Sequence, residues 1–317
     1  PVARLSLAFD TGLARSDGPV ALLHPPVGFD VAGLSAPLII QPHVALNAAW
    51  HNQGFSCDVA LPARRFALAV VCCTRSKQQT ADLIAQAAAC ADIVVVDGQK
   101  TDGIDSHYKT LRKLAAVQGT ITKAHGRLFW FAGTQLPSLR AVDQNFGEFV
   151  TQSGVFSAGA VDPASALLGE ALPEHLAGDV LDLGAGWGYL SAQIVKRNAV
   201  TRLDLVEADH FALDCAKRNV SDPRAAFHWA DARDWKGAYD AVVMNPPFHS
   251  GREGDPDLGR AFITAARRCL RPKGTVYMVA NRHLPYETTL EQCFAKVLEL
   301  PGNGRFKLFQ ASRPKRK

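Results

Sequence analysis

The chain has 317 residues, of which 47% are hydrophobic and 21% charged, the composition of a globular protein long enough for two domains with separate cores. Its net charge of +5 permits a nucleic-acid partner without requiring one. No stretch approaches the roughly 20 apolar residues of a membrane span, and no signal sequence is recognised, so we expect a cytoplasmic protein without a membrane partner. Seven cysteines without a CxxC pair fit neither a disulfide framework nor a zinc site, so no metal is expected.

Apolar runs alternate with helical patterns along the whole chain, which is typical of parallel βαβ units and predicts an α/β fold class. The first half predicts one small sheet, with strands at residues 66–72 and 93–97 and helices at about 80–91 and 105–117. Pro137, Gly147 and several polar residues then interrupt the pattern, which predicts a linker.

A second α/β unit follows the linker. Its predicted strands lie at residues 180–183, 202–206, 225–228, 241–244 and 275–280, followed by a hairpin near residues 301–304. We therefore expect domains at residues 1–135 and 150–317, joined by a linker at residues 136–149.

A glycine turn follows the first strand of the second half. The strand ends at Leu183 and runs into Gly184-Ala185-Gly186-Trp187-Gly188, after which a helical pattern begins. Glycine suits such a turn because a Cβ would hold a ligand away from the backbone N–H groups at the helix start. The spacing GxGxG differs from the GxGxxG of dinucleotide-binding dehydrogenases and disfavours them. The segment predicts a nucleotide-like cofactor, bound by Asp182, Gly184, Ala185, Gly186 and Gly188.

Two acidic residues follow the next two strands. Glu207 lies about 20 residues beyond the turn, where a carboxylate can accept hydrogen bonds from both hydroxyls of a ribose. Asp231 follows the third strand, at a position where an acidic side chain can meet the amine of an adenine. Because Asp is a common N-cap, a helix cap is the alternative for Asp231. Both are predicted to bind the cofactor.

The fourth strand is followed by Asn245-Pro246-Pro247-Phe248-His249. Ligands of open α/β sheets bind beyond the carboxyl ends of the strands, so we expect this segment beside the cofactor. A proline-rich turn is the structural alternative, and the glycine turn three strands earlier disfavours it. His249 is either a surface residue or a proton acceptor.

The same segment suits methyl transfer to an amino group on a planar base. The lone pair of that nitrogen is delocalised, so acceptors are needed to hold its N–H groups and aim the lone pair at a sulfonium methyl. The side-chain oxygen of Asn245 and the carbonyl of Pro246 are such acceptors, and the prolines fix φ. Phe248 is expected to stack on the base, worth about 1–3 kcal/mol. We predict Asn245, Pro246, Pro247 and Phe248 as catalytic residues, with Asn245 also contacting the cofactor.

At this point the chain resembles the bacterial ribosomal RNA guanine-N2 methyltransferases, in particular those of the small subunit. The matching segments lie at residues 154–157, 182–188, 245–249, 279–281, 284–286 and 304–307. The resemblance implies S-adenosylmethionine as the cofactor. It implies the exocyclic N2 of a guanine in ribosomal RNA as the methyl acceptor, in the 16S rRNA of the small ribosomal subunit. We expect a monomer.

The resemblance further implies tandem class I methyltransferase-like (Rossmann-like) domains, the second with a seven-stranded, mostly parallel sheet that ends in an antiparallel hairpin. The first domain is not expected to hold the cofactor, because the predicted strand at residues 66–72 runs into residues 74–78 without a glycine. Its role is expected to be RNA docking or structural.

Basic residues form two groups that could contact RNA. On the predicted helix of the first half, Lys109, Arg112 and Lys113 share a face and are joined by Arg75 and Lys77. The second group lies at the end of the chain, at residues 305–307 and 313–317. For each group a solvated surface is the alternative to phosphate contact.

Three rival functions stay open at this stage. Segments of the type Asn-Pro-Pro-aromatic also serve adenine-N6 methylation and methylation of a protein glutamine. Phe248 followed by His249, together with the C-terminal matches, favours guanine. A non-catalytic RNA-binding or assembly factor with the same fold is the third alternative, and the intact glycine turn and Asn245 disfavour it.

Overall fold

The computed structural model describes residues 4–15, 17–247 and 256–315. The chain divides into two compact units. The N-terminal unit comprises Pro1–Asp143 and Gln152–Gly154, and the C-terminal unit comprises Gln144–Thr151 and Val155–Lys317. Across the described residues, no helix combines the length and the apolar character needed to cross a membrane.

The N-terminal unit is built on one seven-stranded sheet. Its strands are β1 (Val20–Leu23), β2 (Leu38–Ile40), β3 (Cys57–Asp58), β4 (Phe66–Cys72), β5 (Ala91–Gln99), β6 (Val117–Lys123) and β7 (Gly126–Ala132). Its helices are α1 (Arg4–Thr11), α2 (Val44–His51), α3 (Lys77–Cys90) and α4 (Ile104–Leu114). The strand order is β3-β2-β1-β4-β5-β7-β6, and β7 runs antiparallel to both of its neighbours.

The C-terminal unit repeats this architecture after a small hairpin of β8 (Gln144–Phe146) and β9 (Phe149–Thr151). Its sheet strands are β10 (Gly178–Leu183), β11 (Val200–Glu207), β12 (Ala225–Trp229), β13 (Tyr239–Met244), β14 (Leu270–Asn281), β15 (Phe294–Leu300) and β16 (Phe306–Pro314). Its helices are α5 (Pro163–Ala171), α6 (Tyr189–Ile194), α7 (His210–Asn219), α8 (Pro256–Cys269) and α9 (Glu287–Cys293). The order is β12-β11-β10-β13-β14-β16-β15.

The predicted fold class is confirmed: both units are α/β, and the C-terminal sheet is mostly parallel and ends in the expected antiparallel hairpin of β15 and β16. The N-terminal sheet is larger than predicted. Only β4 and β5 were expected there, because β1, β2 and β3 have four residues or fewer and show too little alternation. The predicted helix at residues 105–117 was too long, since α4 ends at Leu114 and β6 begins at Val117.

The C-terminal strands read as continuous apolar runs because both faces of the sheet are covered. Val180 packs into the core on one face and Leu181 into the core on the other. Asp182 interrupts this run, although it is completely buried. A buried carboxyl in the central strand needs a functional or structural reason, because charged groups are excluded from such positions unless they are paired.

The two sheets share more than their strand order. In each unit, an acidic residue near the start of a helix pairs with a basic residue at the corresponding position of the antiparallel strand: Asp105 with Arg127, and Glu287 with Lys307. The register agrees, because Arg127 lies opposite Gly98 and Lys307 lies opposite Ala280. The units are therefore two copies of one architecture, and positions can be compared between them by register.

A buried polar network joins the strands that carry the second half's predicted site. Asp204 on β11 is 1% exposed and accepts hydrogen bonds from the Tyr239 hydroxyl at 2.6 Å and from His228 Nε2 at 3.0 Å. The Tyr239 hydroxyl also accepts from Trp235 Nε1 at 3.0 Å. This network links β11, β12 and β13, and none of its residues lines the pocket described below, so it supports the site without being part of it.

We predict that Tyr239→Phe lowers the free energy of unfolding by about 1–3 kcal/mol, because it removes a hydrogen bond to the buried Asp204 carboxylate and leaves Trp235 Nε1 without its acceptor. Urea denaturation of the full chain measures this loss. Tyr108→Phe is the control, since the Tyr108 hydroxyl has no hydrogen-bond partner within residues 4–15, 17–247 and 256–315. Equal denaturation midpoints for the two variants would contradict the prediction.

Candidate functional site

A pocket opens at the carboxyl ends of the central strands of the C-terminal unit. It is lined by Phe156, Asp162, Ser165, Gly184, Ala185, Gly186, Trp187, Tyr189, Leu190 and Asn245. The glycine turn and Asn245 therefore meet, as expected from their places after β10 and β13. These two strands are direct neighbours and parallel, which brings their carboxyl ends to one edge.

The glycines of the turn serve different purposes. Gly186 has a φ of +55°, and a Cβ built on it would meet no atom within 4 Å, so its backbone faces open space that a ligand can occupy. Gly188 is the N-cap of α6 and has a φ of +90°. A Cβ on it would lie 3.1 Å from Ala216 of α7 and from Val220 at the end of that helix. Gly186 allows ligand approach, whereas Gly188 allows helix packing.

Glu207 stands at the end of β11 and braces the turn. Its Oε2 accepts from the Gly186 N–H at 2.8 Å and its Oε1 accepts from the Asp209 N–H at 2.8 Å. Burial raises the pKa of Glu207 to about 7, against the opposing effect of these N–H donors. Each carboxylate oxygen retains a lone pair, so the group can still accept hydrogen bonds from a ligand's hydroxyls.

Asp182 lies beneath the turn on β10. Its Oδ2 accepts from the Ser191 hydroxyl at 2.6 Å, and its buried Oδ1 has no hydrogen-bond partner among the described residues. Burial raises the pKa of Asp182 to about 7, and the nearby negative charge of Glu207 adds to this shift. The orphaned acceptor and the open space at Gly186 together fit a ligand that brings positive charge and hydrogen-bond donors to this loop.

Asn245 is held at the pocket by both N–H groups of its side chain. Nδ2 donates to Asp162 Oδ2 at 2.9 Å and to Ser165 Oγ at 2.8 Å. Neither Asn245 Oδ1 nor the Pro246 carbonyl accepts a hydrogen bond from any residue that the structure describes. Pro246 is buried and Pro247 is exposed. Phe248 and His249, predicted to follow them, lie outside the described residues.

Asp162 and Ser165 are pocket residues that the sequence did not reveal. Asp162 is the N-cap of α5, with its carboxylate accepting from the Ser165 N–H at 2.8 Å and Pro163 in the first helical turn. The sequence Asp-Pro-Ala-Ser signals a helix start. It does not signal that the helix start lies against a strand end about 80 positions further along.

Phe156 was also missed as a pocket residue. It is 61% exposed, although it is a large aromatic side chain. Its carbonyl accepts from Trp187 Nε1 at 3.0 Å, which fixes its backbone against the glycine turn. The only sequence signal was its place in the segment Gly154-Val155-Phe156-Ser157.

Asp231 does not line the pocket. Both of its carboxylate oxygens accept from the Arg233 side chain, and Oδ1 also accepts from the Arg233 N–H at 2.8 Å. A contact with an adenine amine would have to share this carboxylate with Arg233. Its cofactor role stays a prediction.

The N-terminal unit lacks the chemistry of this pocket. The strand that corresponds to β10 is β1 and not β4. The loop after β1, and not residues 74–78, therefore corresponds to the glycine turn, and the expectation based on residues 74–78 was wrong. The register shows this, because the His24 N–H donates to the Ile40 carbonyl as the Gly184 N–H donates to the Val206 carbonyl. The short β1 carries too weak a pattern to be recognised from sequence.

Register comparison gives the replacements in order. Leu22, which is fully buried, occupies the position that corresponds to Asp182. Pro26, which has no N–H, occupies the position that corresponds to Gly186. Gln41 stands for Glu207, and instead of accepting from the loop its Nε2 donates to the Pro25 carbonyl at 3.3 Å. Trp50, 1% exposed, donates to the same carbonyl. The loop after β1 is therefore closed by two side chains of the same unit, Gln41 and Trp50.

The acceptor position is also changed in the N-terminal unit. Cys72, at the end of β4, occupies the register position of Asn245 and is 4% exposed. Burial raises the pKa of the Cys72 thiol well above its usual range. A buried neutral thiol cannot hold an amino group as an amide oxygen does.

Exposed cations gather just beyond that position. Arg75 and Lys77 follow β4, just before and at the start of α3, and Lys77 packs against Gly103 at the start of α4. Lys109 and Lys113 are exposed on α4. None of these four cations forms an ion pair with a residue in the described ranges.

The C-terminal basic group is not a free tail throughout. Lys307 is 5% exposed, pairs with Glu287 and donates to the Leu284 carbonyl at 2.9 Å. Lys315 donates to the Glu291 carbonyl at 2.6 Å. Arg316 and Lys317 lie outside the described residues. Lys307 is therefore structural, and Arg305 and Arg313 remain available for contacts.

No cluster of three or more His, Cys, Asp or Glu side chains suited to a metal ion occurs in the part of the chain that the structure describes. The pocket chemistry rests on carboxylates, an amide and backbone groups.

Comparison with known proteins gives consistent matches. The family model named Methyltransferase small domain matches residues 146–310. A Hahella chejuensis protein named Ribosomal RNA small subunit methyltransferase C is 27% identical, and the alignment covers 97% of this chain and 98% of that protein. A protein of the same name from Psychromonas ingrahamii is 35% identical over 158 residues, which are 49% of this chain and 45% of that protein.

A solved structure resembles the chain over nearly its full length. It is the T. thermophilus 16S rRNA N2 G1207 methyltransferase in complex with AdoMet and guanosine, at a TM-score of 0.80 and 26% identity. The match covers 95% of this chain and 90% of that one. Both units, and not the C-terminal unit alone, therefore have a counterpart.

The raised pKa of Asp182 predicts a pH-dependent stability. A carboxyl with a folded pKa of about 7 and a lower unfolded pKa binds more protons when folded, so it weakens the fold as the pH rises from about 4 to about 7. Relative to the unaltered protein, Asp182→Asn should gain on the order of 1 kcal/mol per pH unit across this range.

Urea denaturation at pH 5, 6, 7 and 8, without ligand, tests this, with Asp222→Asn as the control. Arg224 lowers the pKa of Asp222 to about 2, so that side chain stays ionised throughout and its substitution should shift stability by a constant amount. Parallel pH curves for Asp182→Asn and the unaltered protein would rule out the buried titration.

Proposed function

The chain belongs to the methyltransferase small domain family, and from this we propose that it transfers a methyl group from S-adenosylmethionine to the exocyclic N2 of a guanine in 16S ribosomal RNA. The observation that carries the proposal is Asn245. It lies beside the glycine turn, with both side-chain N–H groups bound inside the protein and its oxygen free of any described donor. The full-length similarity to small-subunit rRNA methyltransferases supports the substrate.

When bound, S-adenosylmethionine supplies an electrophilic methyl group on a positively charged sulfur. Asn245 Oδ1 and the Pro246 carbonyl each accept one N–H of the guanine amine, which aims the nitrogen lone pair at the methyl carbon and stabilises the positive charge that grows on nitrogen. With the amine held in this way, S-adenosylmethionine would supply the methyl group and leave as a neutral thioether, and the nitrogen would release one proton to water. Pro247 and Phe248 complete the acceptor segment, with Phe248 stacking on the base.

Different residues are assigned to different parts of S-adenosylmethionine. Glu207 accepts hydrogen bonds from the ribose hydroxyls, and the open backbone at Gly186 allows the cofactor to approach the loop. Asp182 supplies negative charge beneath the loop, and Asp231 is assigned to the adenine amine. Both carboxyls with a pKa near 7 would become ionised as cationic and donor groups arrive, so binding itself supplies their missing partners.

The N-terminal unit is proposed to be a non-catalytic RNA-docking module. Its loop after β1 is closed by Gln41 and Trp50, and its acceptor position holds Cys72. What this edge offers instead is positive charge, from Arg75 and Lys77, which suits phosphate. The same edge of the sheet thus serves base chemistry in one unit and phosphate contact in the other.

The remaining features follow from this function. Methylation of ribosomal RNA takes place in the cytoplasm in bacteria, so a cytoplasmic protein without a membrane partner is proposed, acting as a monomer. Adenine-N6 methylation, glutamine methylation and a non-catalytic RNA-binding or assembly role are not favoured, because the full-length similarity is to a guanine-N2 methyltransferase of ribosomal RNA.

Incubation of the purified protein with S-adenosylmethionine and 16S rRNA or 30S subunits, followed by nucleoside mass spectrometry, tests the function. We expect N2-methylguanosine. N6-methyladenosine would identify the acceptor as adenine, and the absence of any methylated nucleoside from both substrates would contradict the proposal.

In the same assay, Asn245→Ala should lower kcat by about 100-fold or more, because an acceptor that acts on developing charge is lost. The Kd for S-adenosylmethionine, measured by calorimetry, should change by less than about threefold because the proposed partner of Asn245 Oδ1 is the base. Equal losses of kcat and cofactor affinity would contradict that role.

For the docking module, the double variant Arg75→Ala, Lys77→Ala should weaken binding to rRNA and flatten the dependence of log K on log salt by about 0.7 per lost single-strand phosphate contact. Cofactor affinity should not change. Filter binding at several salt concentrations measures both affinity and slope.

Arg64→Ala, Arg65→Ala is the matched control. It removes the same charge from exposed residues just before β4, at the opposite end of the strand that Arg75 and Lys77 follow. Identical salt slopes for the two double variants would assign the effect to net charge alone and overturn the docking edge.

A further inference from the structure

An asparagine can help or oppose the proposed reaction, depending on which end of its amide faces the substrate. Its oxygen accepts the N–H of an amine, whereas its NH2 group would meet that amine donor to donor. The two orientations have nearly the same shape, so packing alone does not choose between them. Something beside Asn245 must fix the amide.

The choice is made by Asp162. An ionised carboxylate accepts hydrogen bonds and cannot donate, so the end of the Asn245 amide that lies 2.9 Å from Asp162 Oδ2 has to be the NH2 group. The reverse orientation would place two acceptor oxygens against each other. Ser165 Oγ, 8% exposed and 2.8 Å away, takes the second N–H.

The two partners are themselves held in place. Asp162 Oδ2 also accepts from the Ser165 N–H at 2.8 Å, which caps α5. Pro163 fixes the backbone of the first helical turn. The start of a helix thus serves as a rigid bracket for a side chain that follows β13.

We propose that Asp162 and Ser165 are positioning residues that act through Asn245: they lock its amide so that Oδ1 points to the acceptor nitrogen. This inference rests on the proposed function. With both N–H groups taken, the Asn245 side chain offers only an acceptor to the pocket, and together with the Pro246 carbonyl it matches a group with two N–H donors. Such a site selects a primary planar amine and repels a carbonyl or an alkylated amine without a second N–H.

Asp162 also contributes charge. Its carboxylate lies 2.9 Å from Asn245 Nδ2, at the opposite end of the amide group from Oδ1. A hydrogen bond from an amide N–H to a carboxylate polarises the amide and makes its oxygen a stronger acceptor. This interaction strengthens as positive charge develops on the acceptor nitrogen, so its effect falls on kcat.

Asp162→Asn separates this role from helix capping, because Asn is as good an N-cap as Asp but carries no charge and has a donor that can face Asn245. We expect kcat to fall roughly tenfold or more, with the KM for rRNA and the Kd for S-adenosylmethionine within about threefold. Ser165→Ala should lower kcat less, and Ser165→Thr, which keeps the hydroxyl, should restore it. Asp222→Asn, away from the pocket lining, is the control for a lost surface charge.

A double-mutant cycle decides whether Asp162 acts through Asn245. In the Asn245→Ala background, adding Asp162→Asn should reduce single-turnover methylation by less than about twofold, although it reduces it strongly in the unaltered protein. Independent, multiplicative losses would overturn the proposal. If the unaltered protein methylates no RNA, the proposed function fails, whereas multiplicative losses in an active protein refute only the positioning role.

A second measurement does not depend on turnover. The side-chain amide signal of Asn245 in 15N NMR spectra is identified by its absence from Asn245→Ala. We expect its hydrogens to exchange with solvent at least about tenfold faster in Asp162→Asn than in the unaltered protein, because the hydrogen bond to the carboxylate protects them. Equal exchange rates would show that Asp162 does not hold the amide.

Discussion

Parallel pairing of β10 between β11 and β13 is the constraint on which the rest of this structure depends. Because the three strands run the same way and lie side by side, the residues that follow them meet at one edge. The glycine turn, Glu207 and Asn245 come from separate parts of the chain, and their functions make sense only at that edge. The buried network around Asp204 also links β11 with β12 and β13.

The two units share one architecture but carry different residues at one edge of the sheet. Their strand orders are the same, and their registers align an acid–base pair in each. The residues at the carboxyl edge differ, and α6 between β10 and β11 has no counterpart between β1 and β2. Where the C-terminal unit has an open glycine at Gly186, the N-terminal unit has Pro26, whose missing N–H is accompanied by a glutamine that donates to the loop rather than accepting from it. The N-terminal unit therefore differs from the pocket of the C-terminal unit at several neighbouring positions and not at a single residue.

The pocket of the C-terminal unit is electrostatically incomplete by itself. Asp182 and Glu207 are both carboxyls whose pKa is raised to about 7, chiefly by burial, and one oxygen of Asp182 has no described partner. Such groups weaken the unliganded fold near neutral pH and favour a ligand with positive charge and donors. In contrast, both side-chain N–H groups of Asn245 already have hydrogen-bond partners. The residues proposed to hold the acceptor amine are thus arranged in advance, whereas the carboxyls proposed to bind the cofactor gain their partners only on binding.

The sequence by itself determined the α/β class, the glycine turn with its following acid, and the segment Asn245-Pro246-Pro247, because these depend on local periodicity and on residues adjacent in the chain. It did not identify β1, whose four residues carry too little pattern, and so it compared the wrong strand of the first half with the glycine-turn strand. Only the tertiary structure revealed Asp162 and Ser165 as partners of Asn245, since they lie 83 and 80 positions away. The physical reason is that a hydrogen bond between distant segments is set by strand order and helix packing, which no local pattern encodes.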